Sequence, residues 1–139
     1  MLSNTLNTNE IKNSAGTEVE FNHQENNGRT RKFYQVGEAP SLPHKLSIGH
    51  QESGKGLTLR RRSLVRFDKT IISTVDAATP VTVSAYAVLD FPVGALTANT
   101  EAANVLAELM SFMATTGSGT TVLYNCTGTG ADAMLNGSL

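Results

Sequence analysis

Four arginines crowd the segment from Gly56 to Phe67 (GLTLRRRSLVRF), in a chain of 139 residues whose formal net charge is only −1. The segment is β-prone, and side chains of an extended strand point alternately to opposite faces. Thr58, Arg60, Arg62, Leu64 and Arg66 would then share one face. Leu57, Leu59, Arg61, Ser63, Val65 and Phe67 would share the other, greasier one, suited to packing on a core. A guanidinium is a rigid fork of donors that fits phosphate oxygens, and several along one line suit a phosphate backbone. An edge strand blunted by charge would show the same residues.

The rest of the chain bears on that choice. All eleven Lys and Arg lie between Lys12 and Lys69. Seven of the twelve acidic residues lie within positions 1–69, and the other five follow with no basic residue among them. Such asymmetry points to a polyanionic partner. The positive charge sits within strand-like segments and turns rather than in a basic tail, which would give a folded sheet one basic face.

Other motifs carry less. Gly49-His-Gln-Glu-Ser-Gly-Lys-Gly56 nearly matches a phosphate-binding loop. Its last position is Gly56 where a magnesium-binding Ser or Thr is needed, and a strand follows where a helix should open. Gly128-Thr-Gly-Ala-Asp132 lacks the strand-before, helix-after setting of a dinucleotide fingerprint and reads as flexible tail. His23, His44 and His50 have no Cys partners and no i, i+4 pairing, so no metal site is read. Asp68, Asp76 and Asp90 are separated by turns and form no acid–base pair. No enzyme and no cofactor is expected. Cys126 is alone and reads as a small buried hydrophobe. No apolar run approaches the ~20 residues needed to span a bilayer, and the N-terminal residues lack the features of a signal peptide.

One domain over 1–139 is expected, with an N-terminal hairpin over about 15–36, a sheet over 41–91, a main helix over 99–116 and a C-terminal segment, 117–139, in which Ala131–Leu135 reads as a short helix or strand. Val19–Phe21 and Thr30–Val36 flank a turn at Asn26-Asn-Gly28. Lys45–His50 alternates, with Lys45, Ser47 and Gly49 on one face. The arginine strand continues, with a bend at Asp68, into Thr70–Val75. Val81–Phe91 is a long strand whose odd positions are all apolar; its even positions carry Thr82, Ser84, Tyr86, Val88 and Asp90. Asn99 is placed to cap a helix whose stripe is Ala102, Val105, Leu106, Leu109, Phe112 and Met113. One such helix cannot cover the greasy sheet face, and a second copy supplying its own helix would.

In this order of parts — basic strand, Thr/Pro loop, long strand with a central Tyr, Pro/Gly break, Asn-Thr-Glu-capped helix — the stretch from about Ser41 to Met113 resembles the coat proteins of single-stranded RNA bacteriophages, the levivirus type. The resemblance implies an α+β fold: an N-terminal β-hairpin, a five-stranded antiparallel meander and C-terminal helices. It implies an interlocked homodimer with one continuous sheet, and dimers tiling an icosahedral shell, usually T=3, around genomic RNA. The inner sheet face would bind an RNA hairpin and repress replicase translation. Carried over by position, the RNA-facing residues are Lys45, Ser47, Thr58, Arg60, Arg62, Tyr86, Val88 and Asp90. Tyr86 would stack on a base; Val88 stands where well-known members carry a polar base reader, which bears on hairpin specificity. The loop Val75, Asp76, Ala77, Ala78, Thr79 and Pro80 would join dimers around the shell axes. Val105, Leu106, Leu109, Phe112 and Met113 would pack at the dimer interface. Implied partners are a second copy, single-stranded RNA and a minor maturation protein, with no membrane. The implied location is the virion, assembled in the bacterial host cytoplasm. A nucleic-acid-binding dimer that builds no shell fits the charge asymmetry equally well, and a non-nucleic-acid interaction module fits the lack of catalytic residues.

Overall fold

The structure, a computed structural model, describes residues 2–119 and 121–138. It divides into two units, one built from the chain up to Asn7 with Glu20–Thr97, the other from Thr8–Val19 with the chain from Ala98 onward.

The first unit is one antiparallel sheet in simple meander order: β1 (Thr5–Leu6), β2 (Phe21–Asn27), β3 (Thr30–Gln35), β4 (His44–Ser53), β5 (Arg60–Ile72) and β6 (Pro80–Phe91). The expected N-terminal hairpin is β2–β3, and it is continuous with β4 through pairs such as Phe33↔Leu46, so the single chain carries six strands in one sheet. Its turn falls one residue later than expected. Asn27 pairs with Thr30, leaving Gly28-Arg29 as the two-residue loop. Gly28 takes φ 59°, the first-position glycine that the right-handed twist of a hairpin favours.

β5 runs to Ile72 without interruption at Asp68, which pairs with both Lys45 and Ser84. It also begins later than expected, because Gly56–Thr58 form a 3-10 turn. Thr58 is therefore not in the strand. Its hydroxyl donates to the Lys55 carbonyl at 2.8 Å and closes the turn.

Because β-pairing fixes parity, the odd positions of β5 share a face with Phe33, Leu46 and the apolar positions of β6. Phe21 and Phe33 are fully buried there, with Leu6 and Leu46 also buried. The rings of Phe21, His44 and Phe67 meet edge to face, with centroids 5.0 Å (Phe21–His44) and 5.9 Å (Phe21–Phe67) apart. Toward β6 this cover runs out. Val65, Ile71 and Val81 are exposed, and Val83 is 63% exposed.

In the second unit, α1 (Thr100–Ala114) and α2 (Thr129–Asn136) form a helix pair. Asn99 holds the N-cap position, but only its backbone carbonyl is used, accepting the Ala103 N–H at 2.9 Å. Along the expected stripe Ala102 is buried, and Leu106 and Met113 are half-buried. Val105, Leu109 and Phe112 are exposed.

The glycine-rich tail is not the flexible segment that its composition suggested. α2 crosses α1 so closely that a Cβ on Gly130 would stand 2.6 Å from the Phe112 ring, and one on Gly128 2.3 Å from the Met113 carbonyl oxygen. Glycine is present to let two backbones approach, a requirement that leaves no hydrophobic signature. Gly137 ends α2 at φ 62°. Val122–Cys126 forms no regular element, and Cys126 is exposed rather than buried. Residues 8–19 form a loop tied by the Lys12↔Glu18 bridge, and Lys12 Nζ lies 5.1 Å from the centroid of the Tyr124 ring.

Gly130→Ala should lower unfolding stability by about 1–3 kcal/mol, the usual cost of overpacking. Gly119→Ala, whose Cβ would meet only a backbone nitrogen at 3.9 Å, serves as the neutral comparison in urea denaturation.

Candidate nucleic-acid interface

The even positions of β5 set the polar face. By register, Arg62 stands between Gln51 and Asp90, Leu64 between Gly49 and Val88, Arg66 between Ser47 and Tyr86, and Asp68 between Lys45 and Ser84. Seven of the eight residues expected to bind RNA thus lie on one face of three adjacent strands: Lys45, Ser47, Arg60, Arg62, Tyr86, Val88 and Asp90. The exception is Thr58, held in the 3-10 turn.

The same face carries residues missing from that set. Lys32 pairs with Ser47 and Tyr34 with Lys45, so β3 extends the polar surface by one strand. Arg66, Asp68 and Ser84 occupy its middle. Arg66 was discoverable from parity with Arg62. Lys32 and Tyr34 required the pairing of β3 with β4, which sequence alone does not specify.

The cations are not equivalent. Arg60 Nε lies 3.0 Å from Asp90 Oδ1, and Lys32 Nζ lies 2.9 Å from Glu25 Oε2. Arg66 Nε donates to Asp68 at 2.8 Å, and the Ser84 hydroxyl also donates to Asp68. These bonds, first from Arg66 and then from Ser84, hold the Asp68 carboxyl below its ordinary pKa. The same partner raises that of Arg66. Arg62 and Lys45, by contrast, have no ion-pair partner among the described residues.

Arg62 and Lys45 are therefore the cations most available to an external anion. Arg62 pairs with Gln51, six residues from Lys45 along β4, or about 20 Å at the rise of an antiparallel strand. On a row between theirs, one strand beyond Arg62 on β6, stands Tyr86, 68% exposed, with its ring free to stack. Two available cations and an exposed ring on a neighbouring strand form a surface that can hold phosphates and one base of a single strand at once.

Arg61 is on the opposite face and is taken by Glu52, with the Arg61 Nη2 to Glu52 Oε1 distance 2.9 Å. Glu52 also faces Arg29 at 3.2 Å, and the bonds from Arg61 and then Arg29 lower its pKa. The loop joining β5 to β6 is built on Asp76, which accepts the Ala78 N–H at 3.0 Å and the Thr79 hydroxyl. Ser73 Oγ accepts the N–H groups of Val75 and Asp76. Val75 is 96% exposed at its tip. Pro80, expected in this loop, is instead the first residue of β6, opposite Ile72, a strand position that costs no ladder donor. Among the described residues no helix is long and apolar enough to cross a membrane.

No family model and no curated protein matches this chain. Solved structures do. The coat protein of bacteriophage EMS014 is 14% identical, with 87% of each chain covered and a TM-score of 0.65. The capsid protein of bacteriophage GA is 15% identical over 97% of this chain and 95% of its own, with a TM-score of 0.58. A virus-like particle of Beihai levi-like virus 32 is 24% identical over 68% of this chain and 75% of its own, with a TM-score of 0.55. What is shared at these identities is the fold: an antiparallel sheet with two C-terminal helices, the α+β coat-protein fold of RNA bacteriophages.

Two measurements test the electrostatics. Arg62→Ala should reduce the salt dependence of RNA binding by about one unit, whereas Arg60→Ala, already held by Asp90, should leave the slope nearly unchanged. Arg61→Ala is the opposite-face control. An equal drop for Arg60 would show that it leaves Asp90 for phosphate. Separately, because the folded-state pKa of Asp68 is depressed, its contribution to stability is full above the unfolded carboxylate pKa and is lost as pH falls through the folded value. The stability gap between the wild type and Asp68→Asn should therefore be largest near neutrality and close below about pH 4.

Proposed function

We propose that this chain is a capsid protein that self-associates through its exposed apolar surfaces into a closed shell around single-stranded RNA. The observation that carries the proposal is the incomplete cover of the sheet in a chain with the coat-protein fold. Val65, Ile71, Val81 and Val83 face water on β5 and β6, and Val105, Leu109 and Phe112 do so on α1. Burial of apolar area stabilises by roughly 25 cal/mol per Å², so two surfaces of this kind favour association with a second copy.

β6 supplies the means. It is twelve residues long and lies at the end of the sheet, with no strand on its outer edge among the described residues. Pairing of β6 with its counterpart in a second copy would make one continuous sheet, the arrangement that the resemblance implies. Helices of each copy would then cover the apolar face of the other. That arrangement leaves the polar face of Lys45, Arg62 and Tyr86 on the opposite side, toward the shell interior and the RNA. Icosahedral T=3 geometry, repression of replicase translation, a minor maturation protein as partner and assembly in the bacterial cytoplasm follow from the same reading. So does the absence of enzymatic activity.

Electron microscopy of the expressed protein, with size-exclusion chromatography at neutral pH, tests the proposal. Closed RNA-containing particles are expected. Deleting Ala77 and Ala78, which shortens the loop at Asp76 without touching the core, should leave soluble dimers that fail to close. RNA-bound dimers alone in the wild type would favour a nucleic-acid-binding protein without a shell; monomers free of RNA would sink both readings.

A further inference from the structure

We infer that the polar sheet face holds a recognition site for one unpaired guanine base, read by Arg66. The inference rests on the RNA-binding reading above and adds the identity of the base.

Arg66 differs from the other cations of this face in being aimed. Its Nε lies 2.8 Å from Asp68 Oδ1 and 2.9 Å from Oδ2, and its Nη2 lies 2.8 Å from Oδ1. Nη2 also lies 3.4 Å from Ser84 Oγ, and Ser84 in turn donates to Asp68. The carboxylate thus engages the side of the guanidinium that carries Nε and Nη2. On the far edge Nη1 has no partner among the described residues, Nη2 carries a second N–H beside the one given to Ser84, and the side chain is 46% exposed. Two parallel donors held in a fixed plane match the O6 and N7 acceptors of guanine. Adenine presents a donor in place of O6, and pyrimidines lack the pair.

The surroundings suit a base rather than a phosphate. Asp68 cancels the charge of Arg66, which removes most of its attraction for a phosphate while leaving its directional bonds intact. Tyr86 stands directly across from Arg66 with its ring exposed. The next row along the strands is Gly49, Leu64 and Val88. It is apolar, lies about 7 Å away, and has no side chain at its Gly49 end. A purine lying on that row would meet Tyr86 and present its acceptor edge to Arg66. Arg62, one row further, is unpaired and placed for the adjoining phosphate.

The test uses the full-length chain at nanomolar concentration and fluorescent single-stranded RNA octamers that differ at one central base. Fluorescence anisotropy should show a preference for guanine over adenine on the order of tenfold. Replacing that guanine by 7-deazaguanine, which lacks N7, should remove most of the preference without any change to the protein. Arg66→Lys, which keeps the charge but not the two-donor edge, should abolish the preference and leave the salt slope unchanged. Equal affinity for all four bases would overturn the guanine site while leaving the RNA-binding reading standing. Loss of about one unit of salt slope in Arg66→Ala, with base preference retained, would make Arg66 a phosphate contact and also overturn it. Failure of the wild type to bind any octamer would overturn the RNA-binding reading and the guanine site together.

Discussion

The organisation of the sheet depends on the register of β5 between its two neighbours. From His44↔Lys69 to Ser53↔Arg60 on one side, and from Arg61↔Phe91 to Ile72↔Pro80 on the other, the pairing is unbroken. A slip of one residue would exchange Arg60, Arg62 and Arg66 with Arg61, Val65 and Phe67. It would bury guanidinium groups against Phe33 and Leu46, a cost no surface ion pair could offset. The apolar anchors on one face thereby fix the position of every charge on the other. Chemistry on the polar face is precise because packing on the opposite face is.

The features legible in the sequence are those written in period two. The facing of Lys45, Ser47, Arg60, Arg62, Tyr86 and Val88 follows from alternation alone, and the register places them together. The long apolar parity of β6 was visible for the same reason. Thr58 was misassigned because alternation has no marker for where a strand begins. There the deciding feature is a pair of glycines with positive φ, Gly54 at 87° and Gly56 at 57°, which turn the backbone before Arg60. α2, read from the sequence only as a short helix or strand over Ala131–Leu135, was hard to see for a different reason. Its contact with α1 is made by the absence of side chains at Gly128 and Gly130, and the same composition marks a loose tail. Pairing between side chains was also hidden. Nothing in the order of residues says that Asp90 takes Arg60 and leaves Arg62 free.

The charge asymmetry of the chain has a structural counterpart in this partial neutralisation. Arg60 and Arg62 occupy neighbouring positions of one strand face, about 7 Å apart along it, and Arg66 follows beyond Leu64. Left bare, such a ladder would repel itself in the unliganded sheet and bind any polyanion indiscriminately. Asp90 and Asp68 sit within the ladder and each engages one arginine. The polar face thereby divides into groups that attract and groups that orient: Arg62 and Lys45 keep their charge for long-range attraction, while Arg66 keeps chiefly its geometry. Exposed ion pairs of this kind add little to stability, typically under about 1 kcal/mol each. Their value to the molecule therefore lies in arranging donors rather than in holding the fold.

This division also bears on how the two faces coexist in one thin layer. The strands that present Arg62, Arg66 and Tyr86 on one side present Val65, Val81 and Val83 on the other. Association through the apolar side would remove that side from water and stiffen β6, the strand that carries Tyr86, Asp90 and the Ser84 hydroxyl that donates to Asp68. A stiffer β6 holds an exposed ring and a paired carboxylate in fewer rotamers, and each side chain already ordered costs less to fix when a ligand arrives. On the proposed reading, self-association and recognition would then be coupled through the order of a single strand.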